Sequence, residues 1–123
     1  MAMRSLGRSF LHAMRGFADA FFGERNLKIH TAVACIVLLA GIFFRIDPVE
    51  WAVLFLTIGG MFAAELLNTA IERLVNLVQP DYHPLARQTK DIAAAACLFF
   101  AVVSVAVGVI IFLPKLAFLF RRP

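Results

Sequence analysis

Glu65, Asn68, Thr69, Glu72 and Asn76 recur at i, i+3, i+4, i+7 and i+11 within AAELLNTAIERLVN, residues 63–76. On a helix that spacing stacks them into a single polar stripe. The other faces, with Leu66, Leu67, Ala70, Ile71, Leu74 and Val75, stay oily. A carboxylate at the centre of a bilayer costs roughly 2.5–3.5 kcal/mol or more and is rarely idle. The stripe therefore reads as the working face of a membrane enzyme.

Spacing alone supports a membrane protein with a polar site at one membrane face, the arrangement that joining a lipid head group to a charged reactant would require. For phosphoryl transfer the roles can be assigned by physical chemistry. Carboxylates at a wet boundary, Glu24 and Glu72, can hold Mg²⁺, which bridges and neutralises nucleotide phosphates. Lys90 can balance phosphate charge as a point cation. A deeper carboxylate, Glu65, is placed to accept the proton of a lipid hydroxyl, and desolvation favours that role. Asn68, one turn on, can orient phosphate or carboxylate without adding charge. Catalysis would then consist mostly of positioning and charge neutralisation.

Each residue also has a structural reading. Glu65 and Glu72 can pair with Arg73 or Lys90 and simply hold helices together. Lys90 and Asp91 suit a solvated helix start, with Asp91 favouring the N-terminal dipole. His83, between Tyr82 and Pro84, suits a plain loop position, and Asn68 and Thr69 suit interhelical hydrogen bonding. No Walker A sequence and no HRD or DFG motif is present.

These side chains need helices to position them. The 123-residue chain is 62% hydrophobic and only 16% charged, with a mean hydropathy of +0.86. That composition excludes disorder and predicts an all-α integral membrane protein of one domain, 1–123. The net charge of +4 points to anionic headgroups or phosphates rather than nucleic acid, because the basic residues flank apolar spans. Cys35 and Cys97 lie inside apolar spans without metal-type spacing and read as packing residues.

Residues 5–22 predict an amphipathic helix in the bilayer interface, with Leu6, Phe10, Met14, Phe17 and Phe21 on one face. They do not read as a signal peptide. Glu24, Arg25 and Asn26 then form a charged junction. The first span covers 27–44, its uninterrupted apolar core of Thr31–Phe44 giving about 21 Å of helix. Lys28 must then snorkel if the span is to reach further back. Arg45, Asp47 and Pro48 form a tight connection, and the second helix runs over 49–78. Gly59 and Gly60 would let a neighbouring helix come close. Residues 81–91 read as a polar loop, 92–113 as the third span, and Pro114 as its end.

With the N-terminus inside, eight Lys or Arg are cytoplasmic, Arg4, Arg8, Arg15, Arg25, Lys28, Arg73, Arg87 and Lys90, against four outside, Arg45, Lys115, Arg121 and Arg122. Counted from Trp51 near the outer surface, Glu65 then lies ~21 Å along the helix and Glu72 ~31 Å. Glu65 falls in the cytoplasmic leaflet and Glu72 at the water boundary. Asp81, His83, Lys90 and Asp91 lie just beyond, and Glu24 enters the first span on the same side.

ELLNTAIE at 65–72, with TKD at 89–91 and the GER entry at 23–25, resembles the prokaryotic diacylglycerol kinase family of small integral membrane lipid kinases. The likeness runs from about Phe10 to Leu116. RN at 25–26, GGMF at 59–62, HPLA at 83–86 and IFLPKL at 111–116 resemble its Gram-positive branch, which is associated with undecaprenol kinase activity. The resemblance implies a homotrimer with sites between subunits, ATP as phosphoryl donor and Mg²⁺. It also implies a cytoplasmic-face site in the bacterial inner membrane and a lipid alcohol as acceptor, undecaprenol or alternatively diacylglycerol. Position by position, Glu65 matches the base and Glu24 and Glu72 the metal-linked carboxylates. Asn68, Lys90 and Asp91 match polar site positions, while Asp81, Tyr82, His83 and His12 match nucleotide contacts. Asn76 departs from the family pattern, which has an acidic residue there, and the tail 117–123 has no counterpart. The alternative from another class is a non-enzymatic membrane oligomer whose Glu stripe lines a polar seam.

Overall fold

The structure is a computed structural model that describes the backbone of residues 2–121 and the side chains of residues 5–121. Arg122 and the side chain of Arg4, both used in the charge count, lie outside the described residues. Four helices follow in order: α1 (Ala2–Gly23), α2 (Arg25–Phe44), α3 (Pro48–Val78) and α4 (Pro84–Phe120). Among the described residues there is no strand. The last three helices are long and apolar enough to cross a membrane.

Glu24 alone separates α1 from α2, its extended backbone acting as the N-cap. Arg45 ends α2 in the left-handed region at φ 52°, sending its N–H back to the Gly41 and Ile42 carbonyls. Two residues later Asp47 accepts the Glu50 N–H while Glu50 reaches back to the Asp47 N–H, and Pro48 occupies the first turn. This capping box starts α3 abruptly and folds it against α2.

α3 and α4 form the main antiparallel pair, registered by contacts along their length. Lys90 donates to Asn76 Oδ1 at one end, and Lys115 Nζ lies 2.7 Å from Glu50 Oε2 at the other. Between them the Phe100 ring lies over Gly60. On the α2 side, Gly41 receives the Trp51 ring, and Ile46, Leu54 and Ile111 form a buried cluster. In α1, Phe17 packs on Phe62 at 6.2 Å between ring centroids, and Ala20 is buried. Its first turns stand clear of the bundle, with Leu6 and Phe10 about 70% exposed.

Two boundaries correct the sequence reading. Residues 84–91 are helix, not loop: His83 Nδ1 accepts the Leu85 N–H at 3.1 Å, and Pro84 needs no partner in the first turn. Arg87 and Asp91 then pair at i, i+4. Nor does Pro114 end the third span, since α4 continues to Phe120. The lost hydrogen bond is offset at this point by Ile111 in the core and by Lys115, which bonds Glu50 and the Ile111 carbonyl.

Candidate functional site

The stripe on α3 faces into the bundle over its first turns. Glu65 is 5% exposed, Asn68 9% and Thr69 4%, whereas Glu72 is half-buried and Asn76 exposed. Three helices enclose Glu65. His30 of α2 lies with Nε2 3.2 Å from Glu65 Oε1, and the Cys97 thiol of α4 abuts the same carboxylate. Neither partner was legible from spacing, because 35 and 32 residues separate them from Glu65 and only the hairpin register brings them there. Both cysteines are free, Cys97 packed in the bundle with its thiol beside this carboxylate and Cys35 exposed.

One turn further, Asn68 Nδ2 donates to Glu72 Oε1 at 3.4 Å. Asn68 Oδ1 is buried without a partner. An orphaned acceptor beside a carboxylate is costly unless a cation or donor completes it. Hard oxygen donors of this kind fit Mg²⁺, which typically takes one or two carboxylates and fills its remaining positions with water and substrate phosphate. Among the described residues no cluster of three or more His, Cys, Asp or Glu forms a complete metal cage.

Neither Arg73 nor Lys90 neutralises the carboxylates of the stripe. Arg73 donates to the Asp19 carbonyl at 3.3 Å, which ties α3 to the end of α1 beside Gly23 and Glu24. Lys90 bonds Asn76, which gives that departing position a partner. The helix-holding ion pairs to Glu65 and Glu72 are therefore not formed by either residue.

Asp81, Tyr82, His83 and Lys90 line one cavity of about 220 Å³ at the α3–α4 turn, joined by Arg87, which sequence reasoning passed over. Tyr82 is 79% exposed, and Asp91 is exposed beside Arg87. His12 is exposed on α1, and Glu24 is half-buried. Among the described residues no hydrogen bond or ion pair joins either to the stripe.

A larger cavity of about 360 Å³ lies between α2, α3 and α4, lined by apolar side chains such as Val33, Ile58, Met61 and Val105. His30 lines its Glu65 end. Its two hydroxyls are turned to their own helices, Thr57 to the Val53 carbonyl and Ser104 to the Phe100 carbonyl, each at 2.7 Å.

Residues 11–112 match the family model for prokaryotic diacylglycerol kinase. The chain is 50% identical to the undecaprenol kinase of Bacillus subtilis (strain 168), over 89% of each chain. It is 41% identical to a diacylglycerol kinase of Synechocystis over 88% of this chain and 62% of that protein. A diacylglycerol kinase of Helicobacter pylori is 39% identical over 77% and 74%.

Proposed function

This chain belongs to the prokaryotic diacylglycerol kinase family and is a lipid kinase, and we propose that it transfers the γ-phosphoryl group of ATP to undecaprenol. Family membership decides against the non-enzymatic oligomer. One observation carries the choice of acceptor: buried Glu65 sits, through His30, at the end of a chamber whose hydroxyl donors are spent on their own helices. A polyisoprenoid has no polar atom beyond its terminal hydroxyl and leaves nothing unsatisfied there. A diacylglycerol would bring ester carbonyls to a wall without free hydroxyl donors. The 50% identity to an undecaprenol kinase supports the same reading.

Glu65 takes the hydroxyl proton as the acceptor oxygen bonds to the γ-phosphorus and the bond to the β-phosphate oxygen breaks, leaving ADP. Glu72 and Glu24 would hold Mg²⁺, which supplies charge neutralisation on the phosphates when bound. Lys90 is half-buried at the end of the stripe, where it offsets phosphate charge, and Asn68 presents its unpaired oxygen beside Glu72. Asp81, Tyr82 and His83 contact the nucleotide from the α3–α4 turn, with Asp91 two turns into α4 and His12 from α1. The family resemblance implies a homotrimer with sites between subunits, and in such an assembly His12 and Glu24 would join the stripe of a neighbouring chain. The amphipathic face of α1 lies in the interface, and the site faces the cytoplasm of the bacterial inner membrane, with the N-terminus on that side.

The test offers undecaprenol and diacylglycerol together, in mixed micelles with radiolabelled ATP. Label is expected on undecaprenol. Preferential label on diacylglycerol makes that the substrate, and label on neither overturns the kinase assignment.

A further inference from the structure

His30 is where the apolar chamber and Glu65 meet. Its ring lines the chamber, and Nε2 lies 3.2 Å from Glu65 Oε1. The His30 side chain is 25% exposed and that of Glu65 only 7%, so water is poorly placed to fix the carboxylate instead. From α4 the Cys97 thiol faces the same group, and on α3 itself Glu72 lies two turns on, beyond Asn68. α1 contributes aromatic packing through Phe17 on Phe62. Neither Arg73 nor Lys90 reaches Glu65, since their donors go to Asp19 and Asn76.

We propose that His30 is a positioning residue for the transfer: its Nε2–H holds Oε1 of Glu65 so that Oε2 is aimed at the lipid hydroxyl arriving along the chamber. A glutamate has three side-chain torsions, and an untethered carboxylate samples rotamers that point away from the acceptor. Tethering one oxygen removes that freedom before substrate binds. A single donor from α2 also satisfies one oxygen of the buried carboxylate and leaves the other for the acceptor. The imidazole does not touch the nucleotide side of the stripe in this arrangement, so its loss acts on turnover and spares ATP binding. The inference rests on Glu65 acting as the base in the kinase reading above.

The test measures lipid phosphorylation by the full chain in mixed micelles for wild type, His30→Ala and His30→Gln, varying ATP and lipid. His30→Ala is expected to lower kcat on the order of 100-fold with KM for ATP unchanged. His30→Gln, whose amide places an N–H near the Nε2 position, is expected to restore most of that loss. If the alanine chain does not assemble, His30→Leu fills much of the ring's space without a donor and takes its place. A donor-free variant with wild-type kcat, or a glutamine variant as slow as the alanine one in an intact assembly, overturns the role of His30. Wild type that phosphorylates neither lipid overturns the kinase reading instead, so the two failures are distinct.

Discussion

Gly60 of α3 lies directly beneath the Phe100 ring of α4, so close that a Cβ at position 60 would fall inside the ring's van der Waals envelope. A Cβ on its neighbour Gly59 would meet nothing within 4 Å. Of the two adjacent glycines, one is a packing requirement and the other is open.

Gly60→Ala is therefore expected to lower stability by about 1–3 kcal/mol through overpacking. Gly59→Ala should be neutral or gain up to ~1 kcal/mol from helix propensity. Unfolding in mixed micelles checks both, and equal effects at the two positions would refute the asymmetry.

Asp47 gives a pH dependence far from the chemistry. Its carboxyl is held below the ordinary 3.8, chiefly by the Glu50 backbone N–H that it caps. A depressed carboxylate contributes stability that is complete above its unfolded value and is lost as pH falls through the lower folded one. Wild type should thus lose an increment of Tm as pH drops from about 3.8 downward. Asp47→Asn keeps a capping oxygen but cannot titrate, and its Tm should fall less over that window. Parallel Tm–pH curves for the two chains would show that the cap carries no such linkage.

Glu72 accepts a hydrogen bond from the Asn68 amide nitrogen, and the amide oxygen of Asn68 is buried and unpaired. Glu72→Gln removes the negative charge from this oxygen pair. The variant should need more Mg²⁺ for half-maximal activity, or lose activity altogether. An unaltered Mg²⁺ titration would take Glu72 out of the metal role.

Much of the fold was legible because its signals are local. The apolar spans, the Asp47–Pro48 break and the i, i+3, i+4, i+7 stripe each declare themselves within one helix. The buried end of that stripe, Glu65 to Thr69, follows from the same period. What escaped depends on register between helices. His30 looks like an incidental polar residue near a span's end until the α2–α3 hairpin sets it against Glu65. The α4 boundaries were misread for a related reason. Pro114 breaks a helix by local rules, yet Lys115 and Ile111 hold α4 together across it. Pro84 after a capping His83 was a helix start written in polar residues, which read as loop.

In the proposed transfer Glu65 takes the acceptor's proton from inside the bundle. The direct measurement is transfer of labelled phosphate from ATP to undecaprenol by Glu65→Gln, beside wild type, with assembly followed by size. The amide keeps the shape of the side chain and can still bond His30, so the variant should assemble normally and turn over at a small residue of the wild-type rate. An assembled Glu65→Gln protein that phosphorylates undecaprenol as fast as wild type would place the base elsewhere and contradict the account.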